Sequence, residues 1–181
     1  MLRLFTALAL PPAAASDLAM MQTALPGARW TRPENFHITL RFIGEVDVRT
    51  ADDAASALAA LSAAPFDLTL KGCGVFGKDA PRSVWVGVET NPALDRLNAK
   101  LERAFQRIGL RPDKRKFMPH VTLARVKEAD PAKVQHYVEA HALFAAAPFR
   151  VGEFGLYSST LGSNGSAYTL EAVYPLTRAP A

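Results

Sequence analysis

Apolar residues recur along this chain in two periods, one suited to strands and one to helices, and the two alternate. The run LRLFTALAL at 2–10 is apolar enough for a buried strand, and Pro11-Pro12 then supplies a proline start for a helix over 13–25. Period-two alternation appears in NFHITLRF at 35–42, helical spacing over 51–63, and strand-forming residues over 66–76. A second series repeats the order: strand 83–89, helix 93–108, a strand carrying PHVTLARV, helix 131–146 and strand 149–158. A last strand over 167–176 follows the hairpin signal Ser163-Asn164-Gly165-Ser166. In the helix over 93–108, Leu94, Leu97, Leu101, Phe105 and Ile108 form one apolar stripe, with Arg96, Lys100, Arg103 and Arg107 turned largely outward.

The two series share a register. His37, Thr39 and Leu40 recur 83 residues on as His120, Thr122 and Leu123, and Ala63-Ala64-Pro65-Phe66 recurs at the same shift as Ala146-Ala147-Pro148-Phe149. Such a shared offset points to an internal duplication within one unit spanning residues 1–181. The expected fold class is α+β, with two pseudo-symmetric lobes whose helices cover the outer sheet faces and whose inner faces meet at a cleft.

Strict alternation sorts the side chains of both motif strands. Asn35, His37, Thr39 and Arg41 fall on one face, and Phe36, Ile38, Leu40 and Phe42 on the helix-covered one. In the second copy Met118, His120, Thr122 and Ala124 fall together, and Val121 and Leu123 go inward. A regular strand therefore aims Arg125 away from His120, unless a bulge intervenes, and leaves Arg41 as the cation beside His37.

The duplication would gather two imidazoles and two hydroxyls in one place. A lone strand histidine is ordinarily structural, but here that reading must hold twice in register. No Asp, Glu or Cys repeats beside the histidines to complete a metal set, and nothing marks either threonine as an activated nucleophile. Imidazole titrates near neutrality, so one ring can accept a proton while the other donates one. Threonine hydroxyls can donate to an anionic oxygen held between them.

Composition narrows the partners. Lys+Arg number 21 against 17 Asp+Glu, for a net charge of +4 and a pI near 9.4, which favours anionic ligands without demanding them. With 49% hydrophobic and 21% charged residues the chain can bury a core, which argues against disorder. A single cysteine, Cys73, allows neither an internal disulfide nor a zinc cluster and suits a reducing, cytoplasmic setting. The first residues resemble a signal peptide superficially, but the strand-to-proline reading is preferred, and no stretch reaches the ~20 apolar residues of a membrane span.

Other signals carry less. Gly72-Cys73-Gly74-Val75-Phe76-Gly77 spells a dinucleotide pattern but leads into a strand instead of opening a helix, so it reads as a hairpin bend. Arg111, Lys114, Arg115 and Lys116 crowd the loop before His120, as an RNA track or as a solvated face. His136 and His141 are too poorly spaced for a ligand pair and read as surface positions. Phe5, Trp30 and Tyr157 suit the core better than base stacking.

With both HxTx motifs in these flanks, the chain resembles the two-histidine (2H) phosphoesterases, and among them the RNA 2′,3′-cyclic phosphodiesterases of the LigT/ThpR type. The likeness runs through RLFTALALP, WTRPENFHITLRFIGEV, GVFGKDAPRSVWVGV, FMPHVTLARV and LYSSTLGSNGSAYTLEAVYPL. The resemblance implies a bilobal fold and cofactor-free, metal-independent opening of a 2′,3′-cyclic phosphate at an RNA or oligonucleotide end, giving a 2′-phosphomonoester. It implies His37 as proton donor, His120 as proton acceptor, and Thr39, Thr122 and Arg125 as phosphate contacts. It also implies a monomer with no membrane association and no obligate protein partner. Ligation of 2′,5′ RNA, hydrolysis of small cyclic phosphates such as ADP-ribose cyclic phosphate, and a noncatalytic RNA- or nucleotide-binding module are the alternatives.

Overall fold

A computed structural model describes residues 1–77, 79–162 and 165–177. The elements are β1 (Leu2–Ala9), α1 (Pro12–Met20), β2 (Ala28–Trp30), β3 (His37–Val46), α2 (Val48–Ala59), β4 (Phe66–Leu68) and β5 (Leu70–Phe76), followed by β6 (Ser83–Val88), α3 (Pro92–Arg107), β7 (His120–Val126), α4 (Pro131–Ala140), β8 (Phe149–Val151), β9 (Glu153–Gly162) and β10 (Gly165–Pro175). The fold is α+β with antiparallel pairing, as the sequence suggests. The helices start where local chemistry starts them. Pro12, Pro92 and Pro131 occupy first turns, and Asp47, Asn91 and Asp130 accept from the first free backbone N–H groups of α2, α3 and α4. Gly109, at φ +86°, ends α3 by letting Leu110 N donate to the Phe105 carbonyl.

The strands form two four-stranded sheets, ordered β10-β9-β1-β3 and β2-β7-β6-β5, and a two-stranded pair, β4-β8. Strands related by the 83-residue shift take corresponding places: β3 matches β7, β1 matches β6, and β5 matches β9. The sheets are not the two sequence halves, however. β5, from the first half, pairs with β6, while β9, from the second, pairs with β1. Between these crossings β4 and β8 run antiparallel, with Asp67 opposite Arg150 in an ion pair of 3.3 Å.

Helices follow the same exchange. α3 packs on β3, where Asn98 donates to the Leu40 carbonyl at 2.7 Å, and α4 packs on β5. Tyr137 of α4 donates through its hydroxyl to the Met21 carbonyl just beyond α1. One continuous core results, with Leu8, Leu18, Ile38, Leu58, Leu101, Phe105, Val121 and Leu123 fully buried. The helix expected over 13–25 ends at Met20, and the strand expected over 66–76 is broken into β4 and β5. Short β2 follows the bend at Pro26-Gly27 and pairs with β7. The Ser163-Asn164 turn signal lies outside the described residues.

Both motif strands carry a bulge. On β1, Phe5 and Ala7 are two apart, but they face Phe42 and Thr39, which are three apart; on β6, Ser83 and Trp85 face Arg125 and Thr122 in the same way. Leu40 with Arg41, and Leu123 with Ala124, are all turned into the interior. Backbone groups released by the bulges find partners: the Leu40 carbonyl accepts from Asn98 and the Leu123 carbonyl from the Thr31 N–H at 2.8 Å. Arg41 is therefore not a cation on the His37 face. Its guanidinium is buried, bonded to Glu102 of α3, to the Phe42 carbonyl and, at 2.6 Å, to the Arg111 carbonyl, while Glu102 also accepts from Asp113 N at 3.1 Å.

The glycine-rich run is, as expected, part of the β5–β6 hairpin, and it also makes room for an indole. Gly74 lies opposite Trp85, and a Cβ there would meet the Trp85 ring at 2.3 Å. Two stability predictions follow from these contacts. Replacing Arg41 by Met strands the Glu102 carboxylate and the loop carbonyl, and chemical denaturation should show a loss of about 2–4 kcal/mol, below the full buried-pair range because Glu102 keeps some solvent contact. Gly74→Ala should cost about 1–3 kcal/mol by overpacking, with the change in Trp85 fluorescence reporting the displaced ring.

Candidate active site

His37 and His120 open β3 and β7, strands that approach within 8 Å between Cα atoms although they belong to different sheets. Each ring is held in the same way. His37 Nδ1 lies 2.7 Å from the Asn35 carbonyl and His120 Nδ1 lies 2.7 Å from the Met118 carbonyl, the residue two before it in each case. A carbonyl can only accept, so Nδ1 carries the proton in both rings and Nε2 is left as the reactive nitrogen. Neither ring can swing freely, and both present the same tautomer.

Aromatic walls set the remaining orientation. The His37 ring sits 5.1 Å from Phe5 and 5.1 Å from Tyr168, and Tyr157 stacks on Phe5 at 5.4 Å. His120 stands edge-on to Phe76 at 5.0 Å and 6.0 Å from Trp85. Trp85 is a cross-strand neighbour of Thr122, and its Nε1 is buried with no hydrogen-bond partner among the described residues. Burial in these walls is the main reason that both imidazoles titrate below the ordinary value of 6.5. The backbone acceptors pull the other way. Positive charge lowers both further: His37 feels His120, and His120 feels Arg125.

Thr39 and Thr122 are half-buried and share the faces of their histidines, as alternation predicts over the first turns of each strand. Arg125 shares that face too, because the bulge at Leu123-Ala124 reverses the pattern beyond it. Under the repeat its place in the other sheet belongs to Phe42, with the Arg3 guanidinium 5.1 Å from the Phe42 ring centre. One half thus buries its arginine and exposes a phenyl ring to the cleft, whereas the other buries alanine and exposes an arginine.

Other candidates lie elsewhere or are engaged. Arg115 of the basic loop is paired with Asp113 at 2.8 Å. His136 is exposed, and His141 Nδ1 donates to the Tyr137 carbonyl at 2.8 Å while its ring packs on the Tyr137 ring at 4.2 Å. Trp30 packs on Tyr137, on the helix side of its sheet. A hollow of about 480 Å³ between the segment after α1 and α4, lined by Leu25, Pro26, His136 and Tyr137, is separate from the two-histidine cleft. Among the described residues no three His, Cys, Asp or Glu side chains gather as a metal-ligand set. Phe5 and Tyr157, read from sequence as core residues, form part of the wall around His37, while Tyr168, Phe76, Trp85 and the Arg29 position opposite Arg125 were not picked out, since they depend on pairings between distant strands.

Comparison with known proteins agrees with this geometry. The 2'-5' RNA ligase superfamily profile matches residues 10–162. A Geobacillus stearothermophilus protein named RNA 2',3'-cyclic phosphodiesterase is 35% identical over 161 residues, covering 87% of this chain and 51% of that one, so the chain spans about half of that relative's length. A Thermotoga maritima protein of the same name is 37% identical over 145 residues, covering 78% of this chain and 76% of the relative. The crystal structure of E. coli LigT complexed with 3'-AMP superposes with a TM-score of 0.80 at 27% identity, covering 98% of this chain and 99% of LigT. On the match across most of its length, the chain belongs to the 2'-5' RNA ligase superfamily, the two-histidine phosphoesterases.

Proposed function

We propose that this protein hydrolyses RNA 2′,3′-cyclic phosphate ends to 2′-phosphomonoesters, without a metal, by acid–base catalysis between His37 and His120. The observation that carries the reading is the matched pair of rings, each with Nδ1 tied to the carbonyl two residues back and Nε2 left to act on one bound phosphate. The names of the relatives and the nucleotide in the LigT structure support the same substrate class. The unit that acts is one bilobal domain over residues 1–181, its halves related by internal duplication.

In the reaction, His120 Nε2 accepts a proton from water as the water oxygen bonds to phosphorus. The bond from phosphorus to O3′ breaks, and the proton on His37 Nε2 passes to that oxygen. Charge builds on the non-bridging oxygens, and Thr39, Thr122 and Arg125 hold it. The positive charge of Arg125 beside His120 opposes a proton on that ring, as a base requires, while the His37 proton is disfavoured mainly by burial and also by the charge of His120.

Two outcomes test the reading. His37→Ala and His120→Ala should each cut turnover of a short RNA ending in a 2′,3′-cyclic phosphate by about 100-fold or more, with wild-type rates persisting in excess EDTA and phosphorus NMR identifying the 2′-phosphate. Full turnover by either variant would sink the scheme.

The pH profile supplies the second. A base must be neutral, so activity falls below its pKa; an acid must be protonated, so activity falls above its own. Because both rings titrate below 6.5 in the free protein, the bell of kcat/KM should be centred on the acid side of that value. A bound phosphate anion favours both imidazolium forms, so the kcat bell should move to higher pH. Coincident bells centred above neutrality would contradict this.

A further inference from the structure

β2 is only three residues long and forms the edge of its sheet, yet it places Arg29 directly opposite Arg125 of β7. Directly opposed residues in an antiparallel pair share a face, with Cβ atoms about 4.5–5.5 Å apart, and like charges so placed repel. The next pair settles which face. Trp30 is opposite Ala124, Ala124 is fully buried, and Trp30 packs on Tyr137 of α4, so those two point to the helices. Arg29 and Arg125 therefore both lie on the cleft side, in the row that continues through Ser83 to Phe76.

Both arginines are exposed, and neither takes part in an ion pair among the described residues. Arg125 stands near enough to His120 to disfavour its proton, and Arg29, on the edge strand next to β7, lies one strand farther from the reacting centre. Two unpaired guanidiniums held side by side, stepping outward from the histidines, are the arrangement expected for an anion that continues beyond the first phosphate.

Resting on the function proposed above, we propose that Arg29, with Arg125, forms a second anion site that takes the backbone phosphate next to the cyclic end. The cleft is then built for a polynucleotide end in preference to a free cyclic nucleotide. A free nucleoside 2′,3′-cyclic phosphate has one phosphate and cannot occupy both positions. An oligonucleotide has the next phosphate covalently attached, so Arg29 gains an anionic partner only from the longer ligand. A competing role for an edge-strand charge is to prevent strand pairing between molecules, and that role would not depend on ligand length.

The test compares binding of a short oligoribonucleotide with a 3′-phosphate and of the matching nucleoside 3′-phosphate, across a salt series, for wild type, Arg29→Gln and Arg29→Lys. The ratio of oligonucleotide to mononucleotide affinity should fall about 5- to 10-fold in Arg29→Gln, and the slope of log K against log salt for the oligonucleotide should flatten by about 0.7, one phosphate contact on a single strand. Arg29→Lys, which keeps the charge without the fork, should retain most of the slope. An unchanged ratio and slope in Arg29→Gln would overturn the second site, and so would an equal loss for both ligands. These are binding measurements with ends that cannot be opened, so they decide the site even if the wild-type protein proves not to hydrolyse cyclic phosphates.

Discussion

A strand changes face with every residue, and one extra residue reverses everything beyond it. The geometry of this cleft depends on that constraint being broken just after the HxTx positions in each motif strand. Leu40-Arg41 and Leu123-Ala124 both turn inward, and the residue after each pair, Phe42 or Arg125, comes round to the face that bears the histidine. The bulges persist because their freed carbonyls are occupied, by Asn98 from α3 in one sheet and by the Thr31 N–H beyond β2 in the other. Without the second bulge Arg125 would lie among buried apolar side chains, and the cleft would lose the cation beside His120.

The exchange of strands between halves gives the cleft its rigidity. Because β5 crosses into the sheet of β6 and β9 into the sheet of β1, neither sheet can form from one half of the sequence alone. The crossing point is the β4-β8 pair, symmetric about Asp67 and Arg150. α3 adds a further tie: it lies in the second half but packs on β3, and through Glu102 and Arg41 it also holds the loop around Arg111 and Asp113 that leads towards β7. The separation of the two histidines is thus fixed by long-range pairings on several sides.

Much of this was legible in the chain. Alternation over four residues suffices to place His37 with Thr39 and His120 with Thr122, and the helical stripe of α3 matches Leu94, Leu97, Leu101 and Phe105 in the core. The same rule misplaced Arg41, Phe42 and Arg125, because a bulge has no signature in a run of β-forming residues; only the burial of two successive side chains in each strand, Leu40-Arg41 and Leu123-Ala124, reveals it. β2 escaped notice because three residues cannot show a period, and with it went Arg29. The strand exchange was invisible for a different reason: a repeat in sequence reports which segments are alike, not which of them pair.

The repeated halves give the two histidines similar but not equal surroundings, and the bulges are where they part. Two rings in fully symmetric surroundings would share their protons equally. Both rings here are desolvated and both donate to a backbone carbonyl, so neither burial nor tautomer distinguishes them in kind. A difference in charge comes from which residue of the bulge carries the guanidinium. In the first half it is the inward residue, Arg41, neutralised by Glu102 within the fold; in the second it is the outward one, Arg125, left facing the cleft. A displacement of one position in an otherwise repeated motif therefore makes the surroundings of the two imidazoles unequal, with a guanidinium turned to the cleft on the His120 side and one locked into the fold on the His37 side.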